Sequence, residues 1–188
     1  MSARTKEVQY EDCLRLAEEV GIARFGVMSN QVWHDDPKRL AFVLARYKFV
    51  AKMLDGCRDV LEVGCADAFG SRIVAQATGR LTALDFDPDF VQAARDIQPE
   101  EWRFDVIEHD IMEKPVDGRF DGIYSLDVYE HIPADRLDTY IRNMCRSLAE
   151  HGVLIIGTPS LESQAHASEQ SRIGHVHCRS QPESKESL

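Results

Sequence analysis

The chain has 188 residues, 44% of them hydrophobic, which is enough apolar material for one core and too little for several. Its formal charge is −10 with no cluster of lysine or arginine, which argues against a nucleic-acid backbone as the main partner. The longest apolar runs, such as Val153-Leu154-Ile155-Ile156, are too short to span a bilayer, and no apolar signal core opens the chain, so a cytoplasmic protein without membrane contact is expected.

Residues 1–36 read as an N-terminal extension with a helix over 11–20. Asp36-Pro37 then predicts the cap and first turn of a longer helix, with Leu40, Val43, Leu44, Tyr47, Val50, Ala51 and Leu54 at helical spacing and Gly56 as its stop. On that helix Tyr47 reads as a core aromatic and Arg46 as a solvated charge. Strands and helices alternate from there: a strand over 59–63, a helix from Ser71, a strand over 81–85, a helix from Pro88 with Asp87 as its cap, and strands over 103–109 and 120–126. A helix from Pro133 carries Leu137, Tyr140, Ile141, Met144 and Leu148 on one face, Gly152 follows as its stop, and 153–157 is the fifth strand. Such alternation predicts an α/β fold, a parallel sheet with helices on both faces, whose ligands bind beyond the carboxyl ends of the strands. Residues 37–179 form this domain, and 180–188 read as a disordered polar tail. The cysteines at 13, 57, 65, 145 and 178 show no C-x-x-C pairing and read as reduced, mostly buried thiols.

The most informative stretch is Val60-Leu61-Glu62-Val63-Gly64-Cys65-Ala66-Asp67-Ala68-Phe69-Gly70. A buried strand runs into a small-residue turn that lets backbone approach a ligand closely. Glu62 places a carboxylate beside the turn, which suits a cation or hydroxyls better than a phosphate. Asp85, ending the next strand 21 residues after Gly64, stands where an acid binds ribose hydroxyls; the alternative is a helix cap, which Asp87 fits better, leaving Asp85 free. A dinucleotide turn is disfavoured, because Phe69 occupies the third glycine position of G-x-G-x-x-G, and no phosphate-cradling G-x-x-x-x-G-K-[ST] run is present.

Across about 58–178 these features resemble the class I S-adenosylmethionine-dependent methyltransferases, whose first motif is a strand ending in E/D-x-G before a small-residue turn. The resemblance implies a Rossmann-like, doubly wound, mostly parallel sheet. It also implies cofactor contacts from Glu62, Gly64, Cys65, Ala66, Asp85, Phe86, Asp110, Ile111 and Leu126, with Asp110 accepting from the adenine amino group. Cys65 belongs to this set by its place in the turn, its thiol being left to packing. Ala66 and Ala68 replace glycines common in the family, and Ala68 is expected to narrow the cofactor pocket.

The run 120–133 resembles the fourth-strand motif of small-molecule O-methyltransferases, including the ubiquinone-pathway type. Asp127, Glu130 and His131 are spaced i, i+3 and i+4, so one helical turn would place them on one face. His131 could take a hydroxyl proton. Alternatively the three could hold a divalent ion, the less favoured reading, since acids at a helix start are common for dipole reasons. The loop after the fifth strand, with Thr158, His166, His175 and His177, reads as a lid and substrate wall, and His175 as its inward member. On an extended segment His175 and His177 would point the same way.

The chain stops where members of the resembled family continue through two more strands. The fifth strand is therefore expected near a sheet edge, which fits a homodimer paired edge to edge, an unusual minimal fold or a truncated chain. The function implied is methyl transfer from S-adenosylmethionine to an oxygen, less readily a nitrogen, of a small metabolite. The alternative is a catalytically impaired cofactor-binding or interaction module, on account of Ala68 and the early end.

Overall fold

Asp36 and Pro37 start the longest helix, as their order predicts. The Asp36 carboxylate accepts from Lys38 N–H at 3.1 Å and Pro37 fills the first helical position. The computed structural model describes residues 5–98, 100–167, 169–178 and 180, so the expected tail beyond Ser180 lies outside the described residues.

Helices α1 (Glu11–Val20), α2 (Val27–Asp35) and α3 (Pro37–Met53) precede the sheet. Strands β1 (Asp59–Val63), β2 (Arg80–Asp85), β3 (Asp105–Glu108), β4 (Phe120–Leu126) and β5 (Leu148–Gly157) are separated by α4 (Ser71–Ala75), α5 (Pro88–Asp96) and α6 (Leu137–Ser147), with β3 and β4 joined directly. Helix α7 (Glu169–Gly174) follows. Among the described residues the sheet order is β3-β2-β1-β4-β5, every pair is parallel, and β5 lies at an edge. No described helix is long and apolar enough to cross a membrane.

Two elements depart from expectation. Helix α2 is absent from the sequence reading, because Val27-Met28-Ser29-Asn30-Gln31 offers no apolar period. Strand β5 begins five residues early, at Leu148: the register slips between Phe120↔Leu148 and Gly122↔Val153, so a bulge absorbs the residues around Gly152 that look like a helix stop.

The pleat sorts the core. Leu61 and Val63 of β1 and Ile123 of β4 pack with Tyr140 and Met144 of α6. On the opposite face Val60 and Tyr124 meet Tyr47 and Val50 of α3, Leu54 just after it and Val74 of α4. Ala83 and Val106 receive Val91 and Ala94 of α5. Helices α3, α4 and α5 thus cover one face and α6 the other, the doubly wound arrangement.

Within the α3 face lies one buried acid. Glu62, 1% exposed, accepts from Tyr47 Oη and Tyr124 Oη at 2.8 Å each. Burial raises its pKa, opposed by the donated hydrogen bonds. Both tyrosine hydroxyls are held well above their ordinary value, first by burial and then by the neighbouring carboxylate. Tyr47→Phe and Tyr124→Phe should each cost about 1–3 kcal/mol, since either leaves a buried carboxyl one donor short. Urea midpoints measure this; unchanged midpoints in both would mean that Glu62 does not depend on the tyrosines.

Candidate functional site

The turn after β1 is built from residues in the left-handed region. Gly64, Ala66 and Ala68 have φ of 77°, 47° and 52°. Leu84 C=O accepts from both Gly64 and Cys65 N–H at 2.9 Å, so the β1–β2 ladder extends into the turn. Asp85 Oδ2 then accepts from Ala66 N–H at 2.8 Å, while Oδ1 accepts from Asp87 N–H at 3.0 Å. Gly64 is required twice over, by its φ and because a Cβ there would stand 2.4 Å from Val128 Cγ2.

Three expectations about this turn need correction. Glu62 does not face the cleft: strand alternation turns it beneath the turn, onto the two tyrosines. Ala68 does not narrow a pocket, because the residue is 4% exposed and packs with Cys65, Ala83 and Val91 in the core. Asp85 is not free, although Asp87 does cap α5 by accepting from Asp89 N–H at 2.9 Å. Asp85 braces the turn, and each of its oxygens keeps a second lone pair for another donor. Cys65 is buried and its thiol is pushed far up by burial, an inert packing group as expected.

The other strand ends lie in a row beside it. Phe86 follows β2 and stands 70% exposed. After β3, Asp110 is half-buried and its Oδ1 accepts from Met112 N–H at 2.7 Å, while Ile111 is buried with its carbonyl accepting from Asn143 Nδ2 at 2.7 Å. Leu126 ends β4, with its side chain against Gly157.

Beyond β4 the expected single face does not form. Asp127 has φ 56° and is not helical; its carboxylate turns to Arg46 of α3, and Arg46 is therefore an ion-pair partner rather than a solvated charge. Burial raises the Asp127 pKa, opposed by Arg46. A single 3-10 turn, Tyr129–His131, sends Glu130 inward and His131 outward. Glu130 Oε2 accepts from Thr158 Oγ1 at 3.1 Å, its carbonyl accepts from His177 N–H at 3.0 Å, and burial is the chief cause of its raised pKa.

His175 takes the place Asp127 was expected to fill. Its Nε2 lies 4.0 Å from Glu130 Oε1, its Nδ1 bonds Gln164 Oε1 at 2.9 Å, and its ring meets that of His131 edge-on at 5.1 Å. Burial lowers the His175 pKa, helped by His131 and Arg39. His131 Nδ1 bonds Gly174 C=O at 2.8 Å. One ligand atom from each of Glu130, His131 and His175 lies within 4.8 Å of the others, a carboxylate and two imidazoles that suit either proton transfer or a divalent ion. His177 does not share the direction of His175; its ring packs on Tyr129 at 5.4 Å. The side chain of His166 lies outside the described residues.

This geometry has known counterparts. The methyltransferase domain family matches residues 60–152. A ubiquinone biosynthesis O-methyltransferase of Xanthomonas campestris pv. campestris is 31% identical over 150 residues, covering 72% of this chain and 59% of that protein. A probable S-adenosylmethionine-dependent methyltransferase of Mycobacterium tuberculosis is 30% identical over 104 residues, covering 55% of this chain and 36% of its own length. Among solved structures, N-methyltransferase NodS from Bradyrhizobium japonicum WM9, in complex with S-adenosylhomocysteine, superposes with a TM-score of 0.60 at 21% identity, covering 73% of this chain and 72% of its own. The chain belongs to the class I S-adenosylmethionine-dependent methyltransferases. It spans 59% and 36% of the two curated relatives.

Within this chain the sequence did not announce Asp67 or the Glu130–His175 approach. A carboxylate between two alanines in a glycine-type turn was the available signal for Asp67. Nothing local signals the second, which joins segments far apart in the chain. The two alanines also make a prediction. An L-residue in the left-handed region costs about 1–2 kcal/mol, against about 0.5–1 kcal/mol for the extra freedom of an unfolded glycine. Ala66→Gly should therefore stabilise by up to about 1.5 kcal/mol. A lower urea midpoint in that variant would show that the Ala66 methyl contributes packing that outweighs the strain.

Proposed function

We propose that this methyltransferase moves a methyl group from S-adenosylmethionine to an oxygen, less readily a nitrogen, of a small metabolite. The observation that carries the proposal is the pairing of His131 and His175 at the carboxyl end of β4, on the same rim of the sheet as the left-handed turn. The ubiquinone-type relative is named for O-methylation, which supports oxygen.

The residues fit the cofactor. Gly64–Ala68 would cradle its methionine portion by close backbone approach, Asp85 would accept from ribose hydroxyls with its remaining lone pairs, and Phe86, Asp110 and Ile111 would border the adenine. The cofactor supplies an electrophilic methyl on a sulfonium, so alignment by the protein is the main contribution to rate. An acceptor hydroxyl must lose its proton as the methyl arrives. His131 or His175 takes it, and Glu130, buried beside His175, stabilises the imidazolium that results.

The test begins with melting temperature in excess S-adenosylhomocysteine, with NAD as control. At a hundred times the dissociation constant the ligand should stabilise by about 2.7 kcal/mol, a shift of several degrees. Asp85→Ala should weaken S-adenosylhomocysteine binding roughly tenfold or more, whereas His131→Ala should slow turnover and leave that affinity unchanged. Loss of turnover on chelation, restored by a divalent ion, would instead favour metal on Glu130, His131 and His175. Absence of any shift with S-adenosylhomocysteine would remove the cofactor assignment.

A further inference from the structure

The N-cap position of α2 is Gly26, which has no side chain to offer the free N–H groups of the first turn. The cap comes from another part of the chain. Asp67, in the turn after β1, accepts from Ser29 N–H through Oδ2 at 2.7 Å and from the Ser29 hydroxyl through Oδ1 at 3.1 Å. Oδ1 also accepts from Phe69 N–H at 3.2 Å. Only 4% of Asp67 is exposed, and a carboxylate at this end of a helix is favoured by the helix dipole.

Shape agrees with the hydrogen bonding. A Cβ on Gly26 would stand 2.3 Å from Asp67 Cβ, so a larger residue could not approach so closely. Beside this contact the Phe25 ring packs on Phe69, which directly follows the turn, at 5.2 Å and on Trp33 at 5.5 Å. Residues 25–33 are thus fastened by two adjoining contacts to 67–69.

We propose that Asp67 is a positioning residue: it caps α2 in trans and couples the docking of residues 25–33 to ligand occupancy of the turn. This rests on the reading of Gly64–Ala68 as the cofactor turn. Ala66 and Ala68, the neighbours of Asp67, both hold the left-handed conformation that alanine disfavours, so the turn keeps its shape because its surroundings impose it. The cap fixes the middle of that strained stretch. A ligand held by the turn's backbone is then bound best while α2 is docked, and by linkage the ligand favours docking to the same degree.

Two variants of the full chain separate the coupling from a role of Asp67 inside the turn alone. Asp67→Ala removes the cap. Gly26→Ala removes no atom of the turn, and at φ −77° its new methyl is unstrained apart from the collision with Asp67, so it presses the segment away from outside. Far-UV circular dichroism checks that both fold. With S-adenosylhomocysteine as the probe, stopped-flow dissociation should be roughly tenfold faster or more in both variants. Amide exchange over 27–31 should slow on ligand binding in the unaltered protein and much less in either variant. Fast release from Asp67→Ala alone, with Gly26→Ala unchanged, overturns the coupling and confines Asp67 to its Phe69 contact. Exchange over 27–31 that ignores bound S-adenosylhomocysteine in the unaltered protein overturns it as well. An unaltered protein that binds no S-adenosylhomocysteine overturns the cofactor reading and the coupling with it.

Discussion

The left-handed turn at the end of β1 is the constraint from which the functional end of this molecule is built. Three residues between Gly64 and Ala68 lie at positive φ, and two of them are alanines. Such a turn does not hold itself. Leu84 C=O collects two of its N–H groups and the Asp85 carboxylate a third, so β2 serves as a template for the turn. The Ala68 methyl then enters the core between β2 and α5. A glycine at that position would relax the backbone and leave the space of a methyl unfilled in the packing, which is a physical reason for alanine to be tolerated there.

The fold was legible wherever a local rule agrees with the tertiary outcome. Asp36-Pro37 and Asp87-Pro88 each announced a capped helix, and β1, β2 and β4 read directly as apolar runs. Helix α2 was illegible because it lacks both a periodic apolar face and a local cap, and its carboxylate partner lies 38 residues from Ser29. The site was legible in its strand ends and illegible in its side-chain directions. Spacing alone put Asp127, Glu130 and His131 on one helical face; the positive φ of Asp127 breaks the helix before it begins, and Arg46 takes the carboxylate elsewhere. His175 could be singled out in a loop, but its approach to Glu130 depends on how that loop returns across the sheet.

Charge explains why these acids matter beyond their number. In a chain of net charge −10, buried carboxylates are costly and survive only where donors meet them. Glu62 has two tyrosine hydroxyls, Asp85 two backbone N–H groups, and Asp67 a serine and two backbone N–H groups. None of these three depends on a cation. A neutral set of donors leaves the turn's surroundings negative, which suits a positively charged sulfonium and disfavours a pyrophosphate.

Acids at the strand ends also tie separate elements to one rim. Asp67 holds α2, Asp127 holds α3 through Arg46, and the Glu130 carboxylate holds the start of the loop after β5 through Thr158, while the Glu130 backbone carbonyl accepts from His177 N–H at its end. Each tie runs from a strand end to an element that lies outside the sheet. Movement of any of those elements must therefore alter a buried or half-buried carboxylate at the rim, and a change at the rim is felt by the elements. The parallel sheet supplies a rigid floor, apolar packing seats α3, α5 and α6 on it, and hydrogen bonds to carboxylates add fixed points at the rim. The elements differ in how far they depend on these ties: α3 is also seated by the apolar packing of Tyr47 and Val50, whereas α2 buries only Ser29 and leans on the Asp67 contact.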